Sequence, residues 1–179
     1  MININSIITA SRVNGPGTRC VLWTQGCSLK CPGCFNSDLQ AFKKARFCNT
    51  DKLARYLALL PGAGLTVSGG EPFDQPEGLN GLLKKYKDYC EKTIIIFTGY
   101  EFHEIKASGD KMKTALLADA LISGRYKKGP PWADKRLVLL TGRLKAEEMR
   151  PEESIELIFS ADKAIVTGYP PDGRREIRI

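Results

Sequence analysis

The chain has 179 residues, a mass of 19.8 kDa and 42% hydrophobic residues, which suffices for one domain with its own core and argues against a disordered chain. We therefore treat residues 1–179 as a single domain, with a core over about residues 5–140 and an extension over about 141–179. The net charge of +7 fits a nucleic-acid-binding protein or an enzyme that docks an acidic partner, but solvated surface faces alone also explain it.

No run approaches the roughly 18 to 20 consecutive apolar residues that a membrane-spanning helix needs. The first six residues, Met1 to Ser6, have neither a basic start nor a long apolar stretch, so we expect no signal peptide and a cytoplasmic location. In a reducing compartment, clustered cysteines indicate metal binding or catalysis rather than disulfides.

Short apolar runs typical of strands recur along the chain, at residues 7–8, 20–23, 65–67, 93–97, 120–122 and 137–140. The middle runs are continuous rather than alternating, which is typical of strands covered on both faces. Helical patterns lie between them. One helix is capped by Thr50 and ends at Pro61-Gly62, and others are predicted over residues 76–90, 101–108 and 111–117.

Strands that alternate with helices predict βα units and a mainly parallel sheet. About six strand signals are too few for an eight-stranded barrel, so the fold class is α/β, a partial (β/α)6-type open barrel. Residues 125–134 contain a Gly-Pro-Pro segment and predict an irregular loop. Residues 154–159 and 163–167 predict two strands with a turn at 160–162, a C-terminal β-hairpin that extends the same domain.

Three of the six cysteines, Cys27, Cys31 and Cys34, fall within one short loop after a predicted strand, with the spacing C-x3-C-x2-C. An iron–sulfur cluster is normally held by four thiolates. Three closely spaced thiolates therefore leave one iron with an open coordination position, as a catalytic metal needs. Gly26 and Gly33 allow the backbone to wrap closely around such a cluster.

A structural zinc site is the main alternative for these thiols. Zinc in such sites needs four nitrogen or sulfur ligands, and the fourth would be a distant residue: Cys20, Cys48, Cys90 or His103, the only histidine. We expect the three scattered cysteines to be ordinary buried or half-buried side chains. We expect His103, in a polar helical stretch, to be exposed.

Two glycine-containing motifs also follow predicted strands, at residues 68–72 (Ser-Gly-Gly-Glu-Pro) and 98–101 (Thr-Gly-Tyr-Glu). Glycine lets backbone groups approach a ligand closely, and loops after strands are where α/β folds bind ligands. A carboxylate at Glu71 could accept hydrogen bonds from an ammonium group. Taken alone, either motif could be a simple turn at the end of a strand.

The cysteine spacing resembles the signature of the radical S-adenosylmethionine superfamily. Residues 13–19 and 31–36 resemble glycyl-radical-enzyme activases, in the form that serves anaerobic (class III) ribonucleotide reductase. The motifs at residues 68–72 and 98–101 are similar to that group, and residues 119–124 are a weaker match. The likeness covers roughly residues 5–126, whereas residues 125–140 and 163–170 depart from it.

The resemblance implies a [4Fe–4S] cluster on Cys27, Cys31 and Cys34, with S-adenosylmethionine at the open iron. One-electron cleavage of S-adenosylmethionine gives a 5′-deoxyadenosyl radical, which removes a hydrogen atom from a glycine of a partner enzyme such as anaerobic ribonucleotide reductase. The cofactor contacts so implied are Gly33, Phe35, Asn36, Ser68, Gly69, Gly70, Glu71, Thr98, Gly99 and Tyr100. Reduced flavodoxin or ferredoxin is the implied electron donor, because cleaving a sulfonium needs a strong reductant.

Two other functions stay open. The basic loop from Arg125 to Lys128 would suit a radical enzyme that acts on a small molecule, nucleotide or peptide, since it could contact a phosphate. A non-catalytic iron–sulfur or zinc protein, which senses redox state or binds nucleic acid, would hold a metal without cleaving S-adenosylmethionine. We expect no membrane partner and no nucleic-acid partner for the activase itself.

Overall fold

A computed structural model describes residues 1–130, 132–150, 154–159 and 164–169 of the chain. Its strands are β1 (Ile2–Ser11), β2 (Arg19–Thr24), β3 (Arg46–Cys48), β4 (Gly64–Gly69), β5 (Thr93–Thr98), β6 (Ala120–Ser123), β7 (Arg136–Leu139), β8 (Ile155–Phe159) and β9 (Ala164–Gly168). Its helices are α1 (Thr50–Leu59), α2 (Pro76–Tyr89), α3 (Phe102–Lys106) and α4 (Gly109–Ala115). None of the helices in these ranges is long and apolar enough to cross a membrane.

Seven strands form one sheet in the order β3-β1-β2-β4-β5-β6-β7. Strands β2, β4, β5 and β6 run parallel, and they form the centre of the sheet. Strands β8 and β9 pair separately as an antiparallel hairpin. The predicted mainly parallel sheet and C-terminal hairpin are therefore confirmed, whereas the predicted turn at residues 160–162 lies outside the described residues.

The predicted partial barrel of six βα units is not confirmed. Strand β1 is antiparallel to β2 and β3, and β7 is antiparallel to β6, so only four strands rather than six pair in parallel with a neighbour. Among the described residues no helix separates β1 from β2 or β6 from β7, and a parallel pairing needs such a crossover. The first helix is capped by Asn49 rather than Thr50, because the Asn49 side chain accepts hydrogen bonds from the backbone N–H of Asp51 and Lys52.

Both faces of the sheet are covered, which explains why its central strands are continuously apolar. Helices α1, α2 and α4 cover one face, where side chains such as Leu57, Leu82 and Ile96 are fully buried. A smaller cluster on the other face joins Ile95 and Ile122 to residues that follow β7. The helical face holds most of the core, and the other face is closed by irregular segments and the hairpin.

The amino ends of the parallel strands are tied together by Arg19, which is fully buried. Its guanidinium donates to the Thr66 hydroxyl (2.9 Å), the Thr93 hydroxyl (3.0 Å) and the carbonyl oxygens of Leu65 and Thr93 (both 2.9 Å). Burial lowers the Arg19 pKa to about 10, which still leaves the group charged near neutral pH. The candidate site lies at the opposite rim, where the parallel strands have their carboxyl ends.

Candidate active site

The three clustered cysteines lie in the loop that directly follows β2, at the carboxyl rim of the parallel strands. Cys27 is buried, and Cys31 and Cys34 are half-buried. Backbone hydrogen bonds from Gly26 to Leu39 (2.8 Å) and from Cys27 to Gln40 (3.0 Å) close the loop. The chain therefore holds the base of the loop in place through its own backbone.

One pocket gathers this loop with the ends of β4 and β5. Its lining consists of Cys27, Leu29, Cys31, Cys34, Phe35, Asn36, Ser68, Gly69, Gly70, Glu71, Phe97, Thr98, Gly99, Tyr126, Lys135 and Tyr169. All three cysteines and eight of the ten predicted contact residues are present in this lining. The two exceptions are Gly33 and Tyr100.

Gly33 and Tyr100 lie close to the pocket without forming its wall. Gly33 has a φ of +64°, which favours glycine in the turn between two cysteines. The Tyr100 hydroxyl donates to a carboxylate oxygen of Asp74 (2.8 Å), and the other Asp74 oxygen accepts from the backbone N–H of Ser28 (2.6 Å). Tyr100 therefore supports the cysteine loop through Asp74.

Glu71 joins the ends of β4 and β5 from a buried position. One carboxylate oxygen accepts from the backbone N–H of Phe73 (2.9 Å) and from the Thr98 hydroxyl (2.8 Å). The other oxygen accepts from the backbone N–H of Gly99 (2.7 Å). Burial away from water nevertheless raises the pKa of Glu71 to about 7, because desolvation outweighs these three hydrogen bonds.

The turn before Glu71 packs directly on the cysteine loop. The backbone N–H of Gly70 donates to Thr24 (2.9 Å), and that of Glu71 donates to the Gly26 carbonyl (2.8 Å). A Cβ atom at Gly70 would lie 2.1 Å from the Gly26 carbonyl oxygen, so only glycine permits this approach. The two motifs that were separate in the sequence therefore form one rigid unit.

Lys135 brings a cation into the pocket that sequence reasoning missed. Its ammonium donates to the carbonyl oxygens of Thr98 (3.1 Å) and Gly124 (2.5 Å), at the ends of β5 and β6. Burial lowers the Lys135 pKa, although nearby Glu71, Cys31 and Cys34 act in the opposite direction. The lysine and the three thiols line the same pocket.

The basic loop after β6 is engaged within the chain. Arg125 forms a bidentate ion pair with Glu104 (2.8 and 2.9 Å), and also donates to the Gly99 carbonyl. Lys127 pairs with Asp134 (2.7 Å). Arg125 lowers the pKa of the Glu104 carboxyl group. Two of the cations expected to meet a phosphate therefore already have carboxylate partners.

The far wall of the pocket is aromatic. The Phe35 ring lies 6.3 Å from the Tyr126 ring and 5.6 Å from the Tyr169 ring, measured between centroids. Tyr169 follows β9, and the hairpin is fixed to the sheet where Asn14 donates to the Thr167 hydroxyl (2.9 Å). Of these three rings only Phe35 was predicted from the sequence; Tyr126 and Tyr169 were missed, because they come from distant segments of the chain.

The residues available as further ligands decide whether the three cysteines suit a zinc ion or an iron–sulfur cluster. In the described ranges, no three His, Cys, Asp or Glu side chains converge on a single-ion site. Cys20 is buried in the core, Cys48 and Cys90 pack against that core, and His103 is exposed, so none of them supplies a fourth zinc ligand. Three thiols around one shared pocket instead fit a larger iron–sulfur cluster with one iron that lacks a protein ligand.

Comparison with known proteins agrees with this donor set. Residues 13–139 match the family described as a 4Fe-4S single cluster domain. The anaerobic ribonucleoside-triphosphate reductase-activating protein of Enterobacteria phage T4 is 35% identical over 136 residues, which cover 73% of this chain and 85% of that protein. The chain belongs to this activating-protein family. The Escherichia coli K12 protein of the same name is 31% identical over 137 residues (70% and 85% coverage), and that of Pasteurella multocida 34% over 135 residues (70% and 84%).

Membership of the activating-protein family confirms the resemblance drawn from the cysteine loop and the two strand-end motifs. The family match ends at residue 139, so it includes Tyr126 and Lys135 of the pocket wall. It does not include the hairpin, which supplies Tyr169. One side of the pocket in this chain is thus formed by a segment outside the matched region.

Proposed function

We propose that this protein is a radical S-adenosylmethionine activase that generates a glycyl radical on anaerobic ribonucleotide reductase. The strongest support is the family's single 4Fe-4S cluster together with three thiols in one pocket whose described lining contains no fourth cysteine and no histidine. When bound, the cluster and S-adenosylmethionine supply the radical chemistry, a one-electron cleavage that yields methionine and a 5′-deoxyadenosyl radical. The names of the relatives support the reductase as partner.

Cys27, Cys31 and Cys34 are the proposed cluster ligands. Lys135 lines the same pocket as these thiols and would place a cationic side chain beside a bound cluster. Gly26 and Glu71, which share a backbone hydrogen bond, would keep the loop and the strand ends at a fixed separation.

The residues proposed to contact S-adenosylmethionine or to shape its site are Gly33, Phe35, Asn36, Ser68, Gly69, Gly70, Glu71, Thr98, Gly99 and Tyr100. The carboxylate of Glu71 can accept a further hydrogen bond from an ammonium group, because the oxygen that accepts one bond from Gly99 retains a second lone pair. Gly33 and Tyr100 lie outside the pocket lining, so we assign them an indirect role through the shape and support of the cysteine loop.

The aromatic wall would exclude water from the reacting group. Phe35, Tyr126 and Tyr169 present ring faces and edges rather than charged groups, and a dry site prevents side reactions of a radical. The paired state of Arg125 and Lys127 gives no support to a phosphate-containing substrate. The activase hypothesis is therefore favoured over the small-molecule alternative.

Several finer features belong to the same proposal. We expect reduced flavodoxin or ferredoxin as the electron donor, a cytoplasmic location, and one domain over residues 1–179. We also expect the sheet to curve as a partial (β/α)6-type barrel. Support for the curvature comes from the parallel strands β2, β4, β5 and β6, which all end at the rim that holds the pocket.

The experiment begins with anaerobic reconstitution with iron and sulfide, followed by dithionite and S-adenosylmethionine. Chromatography should detect 5′-deoxyadenosine and methionine, and electron paramagnetic resonance should detect a glycine-centred signal after anaerobic ribonucleotide reductase is added. Cys31→Ala should abolish both products, whereas Cys90→Ala, a cysteine distant from the pocket, should retain them. Cleavage without a glycine-centred signal would contradict the activase role, and failure to form a cluster would contradict the metal assignment.

A further inference from the structure

An exposed basic and aromatic segment lies beside the cysteine loop, and the catalytic proposal does not use it. All seven side chains of residues 41–47, here called the basic segment, are exposed. The segment contains three cations and two aromatic rings: Lys43, Lys44, Arg46, Phe42 (67% exposed) and Phe47 (53% exposed). None of these cations forms an ion pair with any residue in the described part of the chain.

The backbone of the basic segment is held firmly although its side chains are exposed. The Gln25 side chain donates to the Ala41 carbonyl (2.7 Å). The Asn3 side chain donates to the Lys43 carbonyl (2.9 Å) and accepts from the backbone N–H groups of Ala45 and Arg46 (both 3.2 Å). The cations therefore project from a fixed strip of backbone that is bonded to β1 and to the residue after β2.

Phe42 places an exposed ring directly on the cysteine loop. A Cβ atom at Gly26 would lie 2.7 Å from the Phe42 ring, so this ring packs on the residue that precedes Cys27. The backbone N–H of Cys27 also bonds to Gln40, two residues before Phe42. Neither Phe42 nor Gly26 lines the pocket. A protein that contacts Phe42 would thus approach Cys27 without entering the pocket.

We propose that the basic segment is the docking surface for an acidic one-electron carrier protein. This inference rests on the proposed function, in which the site must receive one electron for each cleavage. The carrier is oxidised by one electron, the cluster site is reduced by one, and no covalent bond forms between the two proteins. A short exposed segment that carries both cations and aromatic rings supplies the two components of a small interface, apolar contact area and charge.

Charge complementarity favours an acidic carrier over other occupants of this surface. Three exposed cations within one short segment, none in an ion pair with a described residue, attract a negatively charged protein and accelerate its association, and this effect weakens as salt is added. Docking outside the pocket leaves the pocket free for S-adenosylmethionine and for the partner's glycine. Electron delivery and radical transfer would therefore use different surfaces of the same loop.

The test compares two reductants on the reconstituted holoenzyme. Reduced flavodoxin, a small acidic carrier, should drive S-adenosylmethionine cleavage by wild-type protein at a rate that falls with added salt. Lys43→Glu/Lys44→Glu should lower the flavodoxin-driven rate by about tenfold or more at low salt, because it turns attraction into repulsion. The rate with dithionite, which needs no docking surface, should stay unchanged.

A matched control uses another exposed lysine pair, Lys84 and Lys85 on α2. Lys84→Glu/Lys85→Glu makes the same change in net charge and should leave both rates near wild type. A second variant, Phe42→Ala, tests the ring without a change in charge and should weaken flavodoxin-driven cleavage alone.

The remaining outcomes show which of the two ideas fails, the docking surface or the proposed function. Equal losses with flavodoxin and dithionite, or equal losses in the control pair, would overturn the docking surface. Normal flavodoxin-driven cleavage with loss only of radical transfer to the reductase would assign the basic segment to that partner and also overturn it. Absence of cleavage by wild type with dithionite would instead contradict the proposed function.

Discussion

The buried carboxyl group of Glu71 should make folding stability depend on pH in a way that one substitution can isolate. Its pKa is raised from the usual 4.5 to about 7, mainly by burial, against hydrogen bonds from Gly99, Phe73 and Thr98. In the unfolded chain this carboxyl group regains its usual pKa. Between about pH 4.5 and pH 7 the folded protein therefore binds more protons at this position than the unfolded chain does.

The contribution of protonated Glu71 to the free energy of unfolding is therefore fully present below pH 4.5, and it is lost as the pH rises through 7. Each pKa unit is worth about 1.36 kcal/mol, so the total loss is at most ~3 kcal/mol. Glu71→Gln cannot titrate. It keeps an acceptor for Phe73 and Thr98 but turns an amide N–H₂ toward the Gly99 N–H, which costs about 1–3 kcal/mol at every pH.

The expected result is that Glu71→Gln is clearly less stable than wild type at pH 5, and that the gap narrows by up to ~3 kcal/mol by pH 8. Urea unfolding of the cluster-free, reduced proteins at several pH values measures this gap, provided that the m-values agree. Glu77→Gln, an exposed position on α2, is the control. A gap that stays constant or widens with rising pH would refute the reasoning.

Three further substitutions test other contacts. Arg19→Met leaves buried acceptors unpaired and should lower the free energy of unfolding by ~3 kcal/mol; an unchanged urea midpoint would contradict this. Gly70→Ala forces Gly26, at the base of the cysteine loop, away from residue 70 and should reduce iron incorporation, measured by absorbance, while circular dichroism stays native. Asn14→Ala removes the bond to Thr167 and should speed proteolysis of the hairpin several-fold, with a cost of about 1 kcal/mol to the sheet; equal cleavage rates would count against it.

The parts of the fold that sequence predicts well are those with local signals. The runs at residues 93–97 and 120–122 are continuous and apolar because both faces of the sheet are covered, and each lies within an observed strand. The cysteine spacing and the motif at residues 68–72 can also be recognised from the sequence, because their residues lie close together in the chain. Strand β3 was missed, since it has only three residues and two of them are exposed.

The remainder of the pocket depends on contacts between distant residues. Asn14 and Thr167 are 153 positions apart, and no pattern in a single sequence indicates that they bond and so bring Tyr169 to the pocket. Lys135 lies in an irregular region, and its role depends on carbonyl oxygens at the ends of β5 and β6. For Arg125 the sequence suggested a phosphate contact, whereas the structure shows an ion pair with Glu104 that a run of basic residues alone does not reveal.

The late position of the pocket wall in the chain has a consequence for biosynthesis. The cysteine loop and the parallel strands lie within the first 123 residues, whereas Tyr126, Lys135 and Tyr169 follow them. A nascent chain on the ribosome thus presents all three thiols before the aromatic wall and the lysine exist. During that interval the pocket lacks the wall that Tyr169 supplies, so the loop is open on the side that this residue later covers.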